Sequence, residues 1–204
     1  MANKILILGE SGTGKSTSMR NLDPNTTAII QVVKKSLPFK FKSFKTVASD
    51  DYDVIKRALK KIENNKEIST IIIDDAQYLM ANQFMRRCKE KGYDKFSEIG
   101  NSFWDLLNYI TDLRDDLNVY VMQHTEESEN KIKAKTIGKM LDNVITLEGL
   151  FTIVLRTSVE DGKYFFSTQN NGYDTVKSPM GMFESTMIEN DLKIVNDKIK
   201  EFYN

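Results

Sequence analysis

The sequence contains almost no cysteine or histidine, and it has no long apolar run. Cys88 is the single cysteine, so no internal disulfide can form, which suits a reducing compartment. His124 is the single histidine, and without Cys or His partners it argues against a zinc site. The longest apolar runs have the length of strands, so we expect no membrane-spanning segment and a cytoplasmic protein.

An excess of charge of one sign is also missing. The 29 Lys and Arg residues balance 29 Asp and Glu residues, which gives a formal net charge of zero at pH 7. A wholly basic nucleic-acid-binding body is therefore not expected, although local lysine patches remain. The 204 residues allow a sizeable core and are expected to form a single domain over residues 1–204.

Residues 9–17, Gly-Glu-Ser-Gly-Thr-Gly-Lys-Ser-Thr, match the phosphate-loop pattern G-x-x-x-x-G-K-[ST] in full. An apolar strand precedes them and a helix is predicted to begin at Ser16, which is the context that this motif requires. Glycines let successive backbone N–H groups converge on phosphate oxygens, and the helix N-terminus adds partial positive charge. We predict that ATP is bound by Gly9, Ser11, Gly12, Thr13, Gly14, Lys15, Ser16 and Thr17.

Four side chains have more specific predicted roles. Lys15 is expected to reach the β- and γ-phosphates as a catalytic group, and the Ser16 hydroxyl is expected to ligate Mg²⁺. The buried strand Thr70–Ile73 leads into Asp74 and Asp75. A carboxylate at this place in P-loop proteins holds Mg²⁺, which is the role predicted for Asp74. Asp75 is predicted to orient or deprotonate the attacking water.

Another apolar strand, Val119–Met122, ends in Gln123 and His124. Ligands of doubly wound sheets gather at the carboxyl ends of the strands. Gln123 is therefore predicted as a third catalytic residue, which touches the γ-phosphate or the attacking water and reports hydrolysis to the residues after it. A structural and a functional role are both open for His124.

Strands that alternate with helices predict an α/β fold of three layers with a mostly parallel sheet. The strands are predicted at Lys4–Leu8, Thr27–Val33, Thr70–Ile73 and Val119–Met122. The helices are predicted at Tyr52–Asn64, Ala76–Lys91 and Phe96–Leu117.

The second part of the chain has weaker signals. Residues 125–143 are polar and lack a clear period, so we predict a mobile loop there. Asp161-Gly162 predicts a hairpin between two strands, Leu150–Arg156 and Lys163–Ser167. A helix over Ile188–Phe202 is predicted to follow this C-terminal hairpin.

The order of a phosphate loop, a strand ending in Asp and a strand ending in Gln-His is similar to that of the RecA-like ATPase core. Within that group the chain resembles a family of phage-encoded ATP-binding proteins that includes single-strand annealing proteins, and the resemblance runs nearly from end to end. The stretches that carry it are Ser36-Leu-Pro-Phe39, Ile73-Asp-Asp-Ala-Gln-Tyr78, Lys135-Thr-Ile-Gly-Lys-Met-Leu141, Glu148-Gly-Leu-Phe151 and Lys177-Ser-Pro179.

The resemblance implies a RecA-like sheet, ATP binding with Mg²⁺, slow hydrolysis, and action on single-stranded DNA in phage recombination or replication inside a bacterial host. It also implies homo-oligomeric rings or filaments with ATP near the subunit borders. One departure matters: RecA-type enzymes carry a catalytic Glu at the end of the strand after the phosphate-loop helix, and here residues 29–33 offer no carboxylate. Either Asp75 takes its place, or hydrolysis is weak and ATP acts mainly as a switch.

Several cations are candidates for two further roles. A neighbouring subunit often supplies a positive charge that accelerates phosphoryl transfer. The candidates for that role are Arg156, Lys177, Lys135 and Lys139. The candidates for DNA contact are Lys34, Lys35, Lys131 and Lys133. Phe39, Phe41 and Phe44 follow the first two lysines and are expected either to stack on bases or to face the core.

Two other functions stay open. The missing Glu favours a non-hydrolysing ATP switch, such as a loader or assembly factor that binds a protein partner. A nucleotide or nucleoside kinase is the less favoured alternative, because such kinases clamp phosphates with several arginines. The chain has only six arginines, of which only Arg86 and Arg87 are adjacent.

Overall fold

The structure is a computed structural model, and it describes residues 1–40, 43–138 and 141–203, without the side chains of residues 142 and 143. The main sheet has eight strands. These are β1 (Asn3–Leu8), β2 (Thr27–Gln31), β3 (Lys45–Ala48), β4 (Thr70–Asp74), β5 (Asn118–Gln123), β8 (Ile153–Glu160), β9 (Lys163–Ser167) and β10 (Met187–Glu189). A separate two-stranded sheet pairs β6 (Thr125–Ser128) with β7 (Lys131–Ala134).

The strand order of the main sheet is β10-β9-β8-β1-β5-β4-β2-β3. All neighbours from β8 to β3 are parallel, whereas β9 and β10 are antiparallel additions at one edge. Because β5 lies between β1 and β4, the phosphate-loop strand and the Asp-ended strand flank a common neighbour. The predicted α/β fold, with a mostly parallel sheet and a C-terminal hairpin plus helix, is confirmed.

Helices cover both faces of the sheet. They are α1 (Tyr52–Glu63), α2 (Gln77–Arg86), α3 (Asp94–Thr111) and α4 (Leu192–Tyr203). Side chains of β1 alternate between two core clusters, because successive residues of a strand point to opposite faces. Leu6 and Leu8 belong to the cluster under α1, α2 and α3, and Ile5 and Ile7 belong to the cluster under α4. None of the helices in the described ranges is both long and apolar enough to cross a membrane.

Three helices are shorter than predicted, because α2 ends at Arg86 and not Lys91, α3 ends at Thr111 and not Leu117, and the last helix starts at Leu192 and not Ile188. The helix that starts at Ser16 is a 3₁₀ helix of six residues, Ser16–Asn21, and its successor Leu22 is extended. The nearby Pro24 is unable to continue a helix, because proline has no backbone N–H. The last helix starts at Leu192 because Met187–Glu189 pairs with β9 as an edge strand.

The prediction of a mobile loop over residues 125–143 is wrong for its first half. Residues 125–134 form the β6–β7 hairpin, whose turn residues Glu129 and Asn130 have positive φ angles of 53° and 62°. Two such residues in succession are typical of a tight hairpin turn. The strands were missed because β6 is polar throughout, and the alternation of β7 extends over only four residues.

Candidate nucleotide-binding site

The phosphate loop lies between β1 and the Ser16–Asn21 helix, and it packs tightly against β8. Gly12 and Gly14 have positive φ angles of 82° and 99°, which only glycine adopts at little cost. A Cβ on Gly9 would lie 1.8 Å from the Thr157 hydroxyl oxygen. These three glycines are therefore needed for the path of the backbone.

Lys15 is folded into the loop that precedes it. Its Nζ donates hydrogen bonds to the carbonyl oxygens of Gly9, at 2.7 Å, and Glu10, at 2.8 Å. Burial lowers the pKa of Lys15 to about 8. Carbonyl oxygens accept hydrogen bonds from the buried ammonium but do not neutralise its charge. An anion such as a phosphate would therefore be stabilised beside it.

Ser16 and Asp74 meet across the sheet, as predicted. The Ser16 hydroxyl donates to the Asp74 carboxylate, with oxygen distances of 3.0 and 3.2 Å. Burial, reinforced by the neighbouring Asp75 charge, raises the pKa of Asp74. Oxygen ligands of this kind suit Mg²⁺, which usually keeps several waters and binds through one or two carboxylates plus substrate phosphates. No cluster of three His, Cys, Asp or Glu residues that would hold a metal is found in the described residues. Ser16 and Asp74 offer a hydroxyl and a carboxylate that suit Mg²⁺.

Asp75 adopts a strained backbone conformation, with a φ of 59°. Its carboxylate accepts a hydrogen bond from the Lys35 ammonium and lies 3.6 Å from His124 Nε2. Burial by itself would raise the pKa of Asp75, but His124 and Lys35 outweigh it, so the pKa of Asp75 is lowered. Asp75 is therefore an ionised carboxylate that two basic side chains already engage.

Lys35 is held in this position by Gln31. The Gln31 side chain donates to the Lys35 carbonyl oxygen at 2.9 Å, and Gln31 pairs in register with Asp74 across β2 and β4. The strand end where the resemblance implies a catalytic Glu thus carries an amide that fixes a lysine. Lys35 was a candidate for DNA contact, and the structure places it beside the phosphate loop.

A cavity of about 280 Å³ lies beside the phosphate loop, and Asp74 is not among the residues that line it. Six of the eight predicted phosphate-loop residues border it, namely Ser11, Gly12, Gly14, Lys15, Ser16 and Thr17. Gly9 is not among the lining residues, and Thr13 turns towards β8, where its hydroxyl lies 2.6 Å from that of Thr157. The rest of the lining is Lys35, Ser36, Pro38, Asp75, His124 and Tyr164.

Gln123 is fully buried and does not line this cavity. Its side-chain nitrogen donates to the Lys135 carbonyl oxygen at 2.8 Å, and the Lys135 N–H donates to the His124 carbonyl oxygen at 2.8 Å. Gln123 therefore ties the end of the β6–β7 hairpin to the tip of β5. Sequence reasoning missed this role because it depends on the hairpin, which was not predicted.

The candidate trans-acting cations have different surroundings. Arg156 Nε lies 3.1 Å from the buried Asp174 carboxylate, so its charge is compensated within the chain. Lys177 lies beside β8, where its backbone pairs with Val154. Lys135 is exposed at the end of the hairpin, and Lys139 lies outside the described residues.

The candidate DNA contacts also differ in their exposure and in their ion pairs. Lys34 and Lys131 are exposed, whereas Lys133 lies 3.6 Å from Glu126 on the facing strand. Phe39 and Phe44 meet edge to face at 6.3 Å and pack against the core under α4, which favours a structural role for both rings. Phe41 lies outside the described residues.

Comparison with known proteins identifies the family of this chain. No curated protein matches the chain. The family model described as the AAA domain matches residues 1–180, which include the phosphate loop, Asp74 and the hairpin. The chain therefore belongs to the AAA domain family of P-loop ATPases.

Proposed function

We propose that this chain binds Mg²⁺ and ATP at the phosphate loop, hydrolyses ATP slowly, and uses the bound nucleotide to control contact with single-stranded DNA. The observation that carries the nucleotide part is the hydrogen bond between Ser16 and Asp74 beside the buried Lys15 ammonium. It brings a hydroxyl, a carboxylate and a cation from distant parts of the sequence to one strand edge. AAA-type ATPases generally bind ATP with Mg²⁺, and this set of groups fits that pair.

Each residue has a role that follows from its chemistry. The backbone N–H groups of the glycine loop bind phosphate oxygens, and Lys15 exchanges its carbonyl partners for the phosphates. Ser16 and Asp74 are the ligands offered to the metal, whose contribution when bound is to neutralise phosphate charge. These interactions are electrostatic, which is the main catalytic lever in phosphoryl transfer.

Slow hydrolysis follows from the state of Asp75. A general base works best when its pKa is near the operating pH, and the pKa of Asp75 is lowered instead. Its carboxylate is also held by Lys35 and by His124. We propose that Asp75 orients the attacking water but is a weak acceptor of its proton, so turnover is low.

The DNA part of the proposal starts from the hairpin. Lys131 and Lys133 lie two residues apart on β7, and the Ile132 N–H between them donates to the carbonyl oxygen of Tyr173 at 2.8 Å. Tyr173 is 70% exposed. Lysines and an exposed aromatic residue on adjoining segments suit a single strand, because cations follow the backbone while bases stack on the ring.

The same hairpin is connected to the nucleotide cavity through two adjacent residues. His124 contacts Asp75, and Gln123 binds the hairpin end at Lys135. We propose that nucleotide state reaches the hairpin along this path. As in the resemblance, we propose that the active form is a homo-oligomer, a ring or filament, in which Lys135, Lys139 or Lys177 approaches the phosphates of a neighbouring subunit.

The nucleotide part is tested by calorimetric titration of the wild type and Asp74→Asn with ATP, in the presence and absence of Mg²⁺. We expect saturable binding by the wild type that weakens without Mg²⁺, and Mg²⁺-independent residual binding by Asp74→Asn. The absence of saturation in the folded wild type would overturn the proposal. If ATP binding by Asp74→Asn depends on Mg²⁺ as strongly as that of the wild type, Asp74 is not a metal ligand.

The DNA part is tested with the double variant Lys131→Gln/Lys133→Gln. Its matched control is Lys60→Gln/Lys61→Gln, two exposed lysines at the end of α1. We expect oligonucleotide binding that weakens with salt and is lost only in the hairpin variant. Equal binding by both variants would refute the hairpin surface.

A non-hydrolysing switch that binds a protein partner is the second candidate, and the engaged, ionised Asp75 favours it. Phosphate release with and without single-stranded DNA separates the two. DNA-stimulated release supports the ATPase, whereas ATP binding with no release in either condition supports the switch.

A further inference from the structure

A second cavity, of about 410 Å³, lies next to the nucleotide cavity and shares Thr17 and Tyr164 with it. Its other walls come from Arg20 on the 3₁₀ helix, from β9, from Glu189 at the end of β10, and from Asn190, which follows it. The size is typical of small-molecule sites. Because the two cavities share a wall beside the phosphate loop, one elongated ligand can extend from the first into the second.

Asn190 is the unusual residue of this second cavity. It is 1% exposed, and neither Nδ2 nor Oδ1 of its side chain has a hydrogen-bond partner in the described part of the chain. Its backbone is fixed, because its N–H donates to the Tyr164 carbonyl oxygen at 3.1 Å and its carbonyl oxygen accepts from Arg20. A buried amide with both atoms unpaired is costly, so a complementary ligand would be bound favourably.

The position of the Asn190 amide is next to the phosphate loop. Its Oδ1 lies 3.1 Å from the point where a Cβ on Gly14 would be, and the Tyr164 ring lies 2.9 Å from that point. Tyr164 is 45% exposed, so its ring has room to move off the amide and stack on a planar group.

We propose that this second cavity is the base subsite of the nucleotide site, where Tyr164 stacks on adenine and Asn190 recognises its edge. The inference rests on the ATP binding proposed above. Adenine offers an amine donor and a ring-nitrogen acceptor side by side, which pair with Oδ1 and Nδ2 of an asparagine. At the base edge that faces the major groove of DNA, guanine offers two acceptors, N7 and O6, which would leave Oδ1 without a partner.

The test compares Asn190→Leu with the wild type. Leucine has a similar size and no polar atoms, so it removes recognition without opening a hole. Dissociation constants are measured for the Mg²⁺ complexes of ATP, GTP and inorganic triphosphate. We expect the wild type to prefer ATP over GTP by about tenfold or more. We expect Asn190→Leu to lose that preference through weaker ATP binding, with triphosphate affinity and unfolding temperature preserved.

Tyr164→Ala and Tyr164→Phe give an independent measurement. The alanine variant is expected to lose affinity for ATP and not for triphosphate, and the phenylalanine variant is expected to retain both. A wild type that binds ATP and triphosphate equally overturns the base subsite alone, as does an unchanged ATP to GTP ratio in Asn190→Leu. A wild type that binds neither ligand overturns the nucleotide site and this inference with it.

Discussion

Two asparagines near the C-terminus, Asn190 and Asn196, show opposite uses of the same side chain. Asn196 on α4 accepts from Asn118 at 2.9 Å and from the Tyr120 hydroxyl at 2.7 Å, and it donates to Thr70 at 3.0 Å. Asn190 makes none of these side-chain bonds. The first holds α4 to β4 and β5, and the second lies unsatisfied beside the phosphate loop.

The contrast extends to the two ends of the sheet. At the amino ends of β4 and β5, Thr70, Asn118 and Asn196 bond to one another and stabilise the fold. At the carboxyl ends, Lys15 is buried against neutral carbonyls, Asp75 is strained, and Gln123 Oε1 has no partner among the described residues. Groups that are incomplete in the free protein are the ones that a ligand can complete.

The sharpest test of this contrast is Lys15→Met. We expect ATP affinity to fall by roughly 100-fold, because a charged hydrogen-bond donor to phosphate is lost. We expect the unfolding temperature to stay the same or rise, because the buried ammonium carries a desolvation cost that lowers its pKa to about 8. Calorimetric titration and thermal unfolding measure the two effects, and a large drop in unfolding temperature would contradict the contrast.

Asn196→Ala should behave in the opposite way. Removing three hydrogen bonds and leaving their partners unpaired should lower the free energy of unfolding by about 2 kcal/mol. ATP affinity should not change, because Asn196 lies at the other end of the sheet. Denaturant titration gives the first value, and the exposed neighbour Lys193→Ala is the control on the same helix. Weakened ATP binding in Asn196→Ala would show that the two ends are coupled.

Asp75→Asn separates binding from turnover at the carboxyl end. The neutral amide no longer attracts the Lys35 ammonium by charge, so we expect ATP turnover to fall by about tenfold. This is less than the roughly 100-fold or more typical of a general base, because Asp75 is proposed only to orient the water. Nucleotide affinity should remain close to that of the wild type, because Lys15, Ser16 and Asp74 are retained. Phosphate release under saturating ATP is the measurement. Normal turnover by Asp75→Asn would mean that another residue orients the water.

The smallest expected effect concerns Lys4, whose ammonium donates to the Leu107 carbonyl oxygen and to Thr111. Burial lowers its pKa to about 8, below the value of the unfolded chain. Below pH 8 both states are protonated and the burial cost is fully present. Above it the folded state releases the proton first, so the free energy of unfolding should rise.

We expect a gain for Lys4 of about 1 kcal/mol between roughly pH 7.5 and pH 9.5, after allowing for its partial exposure. Lys15 shifts in the same direction, so Lys4→Met should reduce the gain without removing it. The range stops below pH 10 because the raised pKa of Tyr120 reverses the trend there. Denaturant titration across this range is the measurement, and an identical slope in Lys4→Met would contradict the assignment.

The parts of the site that sequence reasoning predicted are those encoded by neighbouring residues. The phosphate loop follows from its spacing, and the meeting of Ser16 with Asp74 follows from a parallel sheet whose strand ends converge. Lys35 was assigned to DNA because its partner, Asp75, is 40 residues away. Asn190 belongs to no motif, and its lack of partners is visible only in three dimensions.

The fold shows the same division. The apolar strands β1, β2, β4 and β5 were predicted close to their observed bounds, because burial gives them a recognisable pattern. The ends of α2 and α3 were placed too late, at Lys91 and Leu117 and not at Arg86 and Thr111. The β3 strand and the β6–β7 hairpin were missed, because strands with exposed or polar faces lack that period. The contact of the Gln123 amide with the Lys135 backbone was not indicated by the sequence, because it depends on the hairpin.

The short helix after the phosphate loop has a consequence for the order of assembly during synthesis. That helix is fastened by Arg20 to the Asn190 carbonyl oxygen and by Asn21 to Asp191, both of which follow the family match to residues 1–180. When the phosphate loop of a nascent chain has left the ribosome, Asn190 and Asp191 are still inside the exit tunnel. The short helix therefore gains these two hydrogen bonds only after residues 190 and 191 have emerged from the ribosome.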